Sequence, residues 1–398
     1  MSRLFAFLIP ALAAVLGGCG GGGGGDGGPD AAPVNFDRRA LLANLADHQL
    51  IPTYERFATE AAALVTAIDA HCAALDGGGD GATELAAART AWATAIDTWE
   101  HADAVLVGPA AATDKTLRNR IYAWPLFAPC SIDMDVVARW SSPASYDVAT
   151  RFDNARSLAA VEFLLFNTAD AHNCPIAPAG WDALGASRAK ARCGLAGAIA
   201  RDVAAQATAL ATAWRPDGGN YRDQLVLAGT SDSAIVSERE AINMVSDGLF
   251  YVDKMVKDMK LGEAAGITIN ACGTVEEPCL REVEHRFADR SSAAIRANLR
   301  ALKAAFTGTT ETSDGPGFDD YLSAVGATHI AEEMTADIDA AIAAADALPD
   351  GFIAALTGDR PRIVALHAAT KDITDDLKTQ FLTVLGLDIP DDVAGDND

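Results

Sequence analysis

Tyr54-Glu-Arg-Phe57-Ala-Thr-Glu-Ala61-Ala-Ala-Leu64-Val-Thr-Ala-Ile68-Asp-Ala-His-Cys72-Ala-Ala-Leu75 is the stretch that decides the fold. Its Tyr54, Phe57, Ala61, Leu64, Ile68, Cys72 and Leu75 advance in steps of three and four, which puts them on one face of an α-helix. The same period returns near the C-terminus in Ile363, Leu366, Thr370, Ile373, Leu377, Phe381 and Val384, with Gly386 suited to stop that helix. Leu195, Ile199, Val203, Gln206, Leu210 and Trp214 mark a third face, on a segment running back to about Trp181. Further helices are predicted over 81–104, 145–167, 233–260, 281–306, 318–345 and 351–358. Abundant Ala and the near absence of alternating Val/Ile/Thr runs make the chain all-α.

Working outward, Arg215-Pro-Asp-Gly-Gly-Asn-Tyr-Arg222 is rich in helix breakers and lies mid-body. It predicts a boundary between two helical-bundle halves, 36–215 and 216–390, each long enough for a four-helix-type core, followed by an acidic tail over 391–398. No internal repeat is visible at the level of residue identity.

At the other end, Arg3 precedes an apolar run from Leu4 to Leu16 that is too short to span a bilayer. Leu16-Gly17-Gly18-Cys19 resembles a lipobox, so residues 1–18 are expected to be a signal peptide and Cys19 a lipidated N-terminus. The Gly-rich segment through residue 35 reads as a tether whose reach is on the order of 20 Å. Gly20 stands where Asp would mark inner-membrane retention, so the expected location is the periplasm, with the lipid anchor in the outer membrane.

The charge balance fits an exported surface. With 31 Lys+Arg against 55 Asp+Glu, a net charge of -24 repels nucleic-acid phosphates and argues against an acidic polysaccharide ligand. Six cysteines remain beyond Cys19, and they point to an oxidising compartment. Cys272 and Cys279 flank a short loop with Gly273 and Pro278, favouring a local bridge, and Cys174 with Cys193 and Cys72 with Cys130 would complete an economical set among 15 possible pairings. No pair has the C-x2-4-C spacing of a zinc site.

The usual catalytic signatures are missing: no H-E-x-x-H, no G-x-S-x-G and no G-x-x-x-x-G-K-[ST]. Asp76-Gly-Gly-Gly-Asp80-Gly mimics a calcium loop but has Ala87 at its twelfth position, so it reads as a turn. Two His/Glu pairs are three apart, Glu282 with His285 and His329 with Glu332. Chance alone gives about two such pairs among seven His, so both read as surface helix pairs.

Several segments together resemble the imelysin family, also filed as the M75 peptidases. They are Ile51-Pro-Thr-Tyr-Glu-Arg-Phe57, Ala88-Arg-Thr-Ala-Trp92, Trp99-Glu100, Arg120-Ile-Tyr-Ala-Trp124-Pro-Leu126 and Ser157-Leu-Ala-Ala-Val-Glu162-Phe-Leu-Leu-Phe166. In the second half come Asp247-Gly-Leu-Phe-Tyr-Val-Asp253, Lys257-Asp-Met-Lys260-Leu-Gly262 and Ser291-Ser-Ala-Ala-Ile-Arg296-Ala-Asn298-Leu299. The resemblance implies two bundle-like halves related by duplication, with a site near where they meet and a role in iron uptake. Many members carry G-x-H-x-x-E as a metal-binding pair; here Ser157 and Ala159 replace the Gly and His, and Glu162 alone is retained. An Ala methyl coordinates nothing, which weakens both an iron-ligand and a metallopeptidase reading here.

Glu162 lies in the apolar run Val161–Phe166 and needs a partner, for which Arg120 is the first candidate. Glu100, Trp124, Asp253, Lys257, Lys260 and Arg296 complete the candidate ligand-binding set; Arg296 and Asn298 point differently, so at most one of them shares a given site. Trp99 and Trp124 also suit a core. The expected function is a non-catalytic periplasmic role in iron uptake, with iron as a candidate ligand, no other cofactor assigned, and outer-membrane uptake components as candidate partners. The alternatives are an M75-type peptidase and a module binding an organic ligand or a partner protein.

Overall fold

The computed structural model describes residues 36–390 except 274, together with 393 and 394. The expected signal peptide, Cys19, the tether and most of the acidic tail lie outside the described residues. Asp37 starts the first helix by accepting the Ala40 N–H at 3.0 Å. Helix α1 (Arg38–Leu45) runs through a π-helical turn, Ala46–Leu50, straight into α2 (Ile51–Asp76). Then follow α3 (Ala82–Asp103), α4 (Ala112–Ile121), α5 (Pro129–Ser141), α6 (Leu158–Phe166), α7 (Trp181–Leu184) and α8 (Arg188–Trp214). Beyond the breaker-rich stretch come α9 (Tyr221–Val226), α10 (Glu238–Leu249), a long π-helical segment Val252–Glu263, and α11 (Ser291–Thr307). The chain closes with α12 (Phe318–Ala324), α13 (Thr328–Asp346), α14 (Phe352–Gly358), α15 (Arg360–Asp376), a π-helical turn Leu377–Phe381 and α16 (Leu382–Leu385). Among the described residues there is no β-strand, and the fold is an all-α helical bundle.

Packing follows the apolar faces. Tyr54, Phe57, Ala61, Leu64 and Ile68 of α2 are fully buried, and α2 lies against α3 and α8. Each large side chain so placed contributes about 1.5–3 kcal/mol relative to exposure. In the second half α13 pairs with α11 and α15, and α15 packs on the π-helical segment Val252–Glu263. Contact between α3 and α11 links the two groups. Gly386, at φ +62, ends the last helix in the left-handed conformation that favours glycine.

Several predicted elements are shorter or broken. Of 145–167 only α6 is α-helix; the residues before it form single 3-10 turns, Val148–Thr150 and Asp153–Ala155. There Asp147 takes the Ala149 N–H, and Asp153 takes the Arg156 guanidinium, so side chains compete with the helical ladder. The predicted helix 281–306 begins at Ser291, because residues 281–290 are turns in which His285 and Asp289 have positive φ. Helix 233–260 is interrupted between Leu249 and Val252 and continues as a π-helix. Helices α1, α4, α5 and α9 lie outside the segments predicted to be helical.

The disulfides are Cys72–Cys193, Cys130–Cys174 and Cys272–Cys279. The local bridge is as expected, whereas the other two expected pairings, Cys174–Cys193 and Cys72–Cys130, are wrong. Pairing of α2 with α8 brings Cys72, near the end of one, within 5.6 Å (Cα–Cα) of Cys193, near the start of the other. Cys130, opening α5, meets Cys174 in the loop beyond α6. Sequence economy loses to helix pairing.

The sequence separations of 121 and 7 residues set very different loop-closure entropies. Removing Cys72–Cys193 as the double Ser variant is expected to cost about 5 kcal/mol, and removing Cys272–Cys279 about 2 kcal/mol. Urea unfolding of the two variants checks the order; equal losses would refute it.

Candidate functional site

Every residue of α6 from Leu158 to Leu165 is buried, so the Glu162 carboxylate needs compensation from the surrounding protein. It is compensated by the segment 281–290. Glu162 Oε2 lies 3.1 Å from His285 Nδ1, and Oε1 accepts the backbone N–H groups of Phe287 at 3.0 Å and Ala288 at 3.1 Å. These N–H groups point at a carboxylate instead of an upstream carbonyl, which is why α11 starts only at Ser291.

The other face of His285 meets a second buried group. Its Nε2 lies 3.2 Å from Glu100 Oε1, while Glu100 Oε2 takes Lys260 Nζ at 2.6 Å and Asn298 Nδ2 at 2.9 Å. Lys260 also reaches Glu284 Oε2 at 2.8 Å and Asn298 Oδ1 at 2.7 Å. Tyr122 donates its hydroxyl to Glu284 Oε1 at 2.8 Å and stacks on the His285 ring. Trp92 stands edge-on to the same imidazole, and Tyr251 and Trp124 flank the Lys260 ammonium.

An ionised carboxylate only accepts hydrogen bonds, so a ring with a carboxylate oxygen at each nitrogen carries two protons. Burial opposes charging His285, but Glu284, Glu100 and Glu162 together raise it to about 10. Burial likewise opposes the Lys260 charge, and Glu100 and Glu284 restore it above the usual lysine range. Burial would raise Glu100, yet Lys260 and His285 hold it well below the usual carboxylate range. Burial and the nearby Glu100 charge raise Glu284 despite Lys260. The site is therefore three carboxyl groups set against two cations, with Tyr122 and Asn298 satisfying the remainder.

Above this network lies a cavity of about 340 Å³, lined by Tyr122, Trp124, Phe127, Ala159, Glu162 and His285, with Arg281 and Arg286 also on its wall. The Trp124–Pro125 peptide, which is cis, borders it. The small Ala159 side chain leaves the cavity open beside Glu162.

Of the residues singled out from the sequence, Glu100, Glu162 and Lys260 come together, and Trp124 joins them at the cavity wall. Arg120 is not the partner of Glu162; that place is taken by His285, and the buried Arg120 Nε has no hydrogen-bond partner among the described residues. Asp253 and Lys257 form a different buried cluster, since Asp253 takes Lys257 Nζ and Lys378 Nζ, each at 3.0 Å. Arg296 instead ties α11 to the end of α13 through the Ala345 and Leu348 carbonyls and Asp350, and it is Asn298 that enters the site. Trp99 packs on Phe57 in the core. The Glu282/His285 pair is not a surface helix pair: it lies on turns, and His285 is 3% exposed.

Glu100, Glu284 and His285 each bring one potential ligand atom within 4.8 Å of the others, which raises the question of a metal ion. The donor set does not fit one as it stands. Both His285 nitrogens face carboxylates, and the Lys260 ammonium sits between Glu100 and Glu284, where an ion would have to be. With Ala159 contributing no ligand, a transition metal would have to displace protons from both His285 and Lys260.

Two measurements follow. Glu162→Gln removes the anion facing a buried imidazolium and is expected to cost about 3 kcal/mol in denaturant unfolding, a cost below about 0.5 kcal/mol refuting the role. Because His285 is raised above its unfolded value of about 6.5, its contribution is complete below that pH and is lost as pH rises through about 10. The excess stability of wild type over His285→Gln should therefore be largest near pH 6 and shrink toward pH 10; a pH-independent difference would contradict a charged ring.

Three comparisons bear on this architecture. The model of the imelysin family, Peptidase_M75, matches residues 50–380. Iron-regulated protein A of Synechococcus elongatus is 26% identical over 364 residues, covering 87% of this chain and 88% of its own. The crystal structure of an imelysin-like protein from Psychrobacter arcticum superposes with a TM-score of 0.67 at 18% identity, covering 89% of this chain and 97% of that one. An iron-regulated protein A precursor from Parabacteroides distasonis gives 0.67 at 21% identity, covering 90% and 96%. Because the family model spans nearly the whole described body, the chain belongs to the imelysin family.

Proposed function

We propose that this protein is an exported, lipid-anchored imelysin that serves iron acquisition by binding a ligand in the cavity over Glu162 and His285, without catalysing a reaction. The observation that carries this reading is the saturation of the site. Glu162 accepts three hydrogen bonds, and His285 donates from both nitrogens, so neither is poised to activate water or a nucleophile. Hydrolysis needs such a base or a water-activating metal, whereas binding needs a cavity with a few convergent polar groups. Iron enters through the relatives named iron-regulated protein A. Export is supported by the three disulfides and by the signal-like N-terminus, and Gly20 after Cys19 favours the outer membrane.

The test has two arms. A strain lacking the protein should grow more slowly than its parent under iron limitation and equally well with iron in excess, while the purified protein leaves casein intact with or without a chelator. Chelator-sensitive hydrolysis would establish the peptidase alternative, and iron-independent growth would remove the link to iron. For the anchor, Cys19→Ala should move the protein from the membrane fraction to the soluble periplasm; retention in the membrane would overturn lipidation as the tether.

A further inference from the structure

The cavity wall carries two cations that the buried network does not use. Arg281 and Arg286 make no ion pair among the described residues, in a chain with a formal net charge of -24. Their hydrogen bonds are long ones to carbonyls: Arg281 Nη2 to Ala271 O at 3.3 Å, and Arg286 Nη1 to Arg281 O at 3.3 Å. Many arginines on so acidic a protein pair with carboxylates, whereas Arg281 and Arg286 share with Arg89, Arg192 and Arg360 hydrogen bonds to carbonyls alone. The Arg286 guanidinium lies over both Phe287, at 4.9 Å, and Phe127, at 5.6 Å, within reach of a cation–π contact with each. Burial is the main influence disfavouring its proton; Glu162 and Glu282 favour the charge without an ion pair, and the neighbouring Arg281 opposes it.

Neither nearby carboxylate pairs directly with Arg281 or Arg286. Glu162 is committed to His285 and to two backbone N–H groups. Glu282, the other acid on the wall, accepts the Ala271 N–H at 3.1 Å. The cavity wall thus combines two arginines without carboxylate partners among the described residues with the rings of Trp124, Phe127 and Phe287. Its volume of about 340 Å³ is at the small end of organic-ligand sites.

We propose that this cavity is an anion site that takes a small polycarboxylate, free or as its metal chelate, with Arg281 and Arg286 gripping the carboxylates and the aromatic wall covering the carbon skeleton. The proposal rests on the non-catalytic binding reading and names its ligand class. Two guanidinium forks suit carboxylates bidentately, and the rings suit a ligand with carbon between its charges. Repulsion from the acidic body is screened beyond about 8 Å at physiological salt, which leaves Arg281, Arg286 and the charged His285 set against Glu162 and Glu282 at the cavity. Iron would then enter as part of an anionic complex, its ligands supplied by the chelator and not by the saturated buried network.

Calorimetry on the tether-bearing protein with citrate, ferric citrate, gallium(III) citrate, and Fe(II) or Fe(III) alone provides the test. Citrate or its chelates should bind with a Kd of roughly micromolar order that weakens as salt rises. Arg281→Ala and Arg286→Lys should each weaken it by at least about tenfold. Arg286→Lys keeps a cation beside the two rings, and Arg281 is exposed, so both variants should melt like wild type. Equal binding of citrate and its chelates identifies the free anion, and preference for the ferric and gallium complexes identifies the chelate; either supports the site. Binding unchanged in both variants overturns the assignment to these arginines. Absence of citrate and chelate binding by folded wild type overturns the proposal, and binding of bare iron in that same case would leave the non-catalytic reading standing with a different ligand.

Discussion

Removing three carboxylates, an ammonium and an imidazole from water is the constraint on which the rest of this structure depends. Each such group is costly in an apolar interior unless its charge and its hydrogen-bonding capacity are both met. Here they are met only jointly: His285 faces Glu162 on α6 and Glu100 on α3, while Lys260 faces Glu100 and Glu284. Apart from the adjacent Glu284 and His285, no member has its complement on its own segment. The network therefore forms only when α3, α6, α11 and the segment Val252–Glu263 are already in register, and loss of one partner strands the others.

That dependence explains local features that otherwise look irregular. The turns over 281–290 exist because Glu162 draws two backbone N–H groups out of a helical ladder. His285 keeps a positive φ while its imidazole lies between two carboxylates. Asn298 completes the arrangement by donating to the Glu100 carboxylate and its backbone carbonyl while accepting from Lys260.

The long helices were legible because burial imposes a period that survives in composition: the face from Tyr54 to Leu75 and the one from Ile363 to Phe381 both lie in the core. Short helices such as α5 carry too few turns for that period to stand out, and competing Asp side chains hid the early end of α6. Glu162 was legible since a carboxylate within an apolar run demands a partner, and the family resemblance brought in Glu100 and Lys260. The partner itself was not. His285 lies 123 residues from Glu162 and 185 from Glu100, and spacing to Glu282 carries only a chance-level signal. Arg120 was favoured over it because sequence reasoning sees which residue types are available and not which way a helix turns them. The same limit misplaced Asp253 and Lys257, which share an element with Lys260 but join Lys378.

The nesting of the first two disulfides has a consequence for how the chain is made. Cys130–Cys174 lies wholly inside the loop closed by Cys72–Cys193, so the native partner of Cys72 is the last of these four to emerge. A chain threaded N-terminus first into an oxidising compartment presents Cys72 and Cys130 together before either native partner arrives. Bonds made strictly in order of arrival would join them wrongly. Correct maturation therefore requires either that α2 wait reduced until α8 packs against it, or that a thiol catalyst exchange the early bond for the native one.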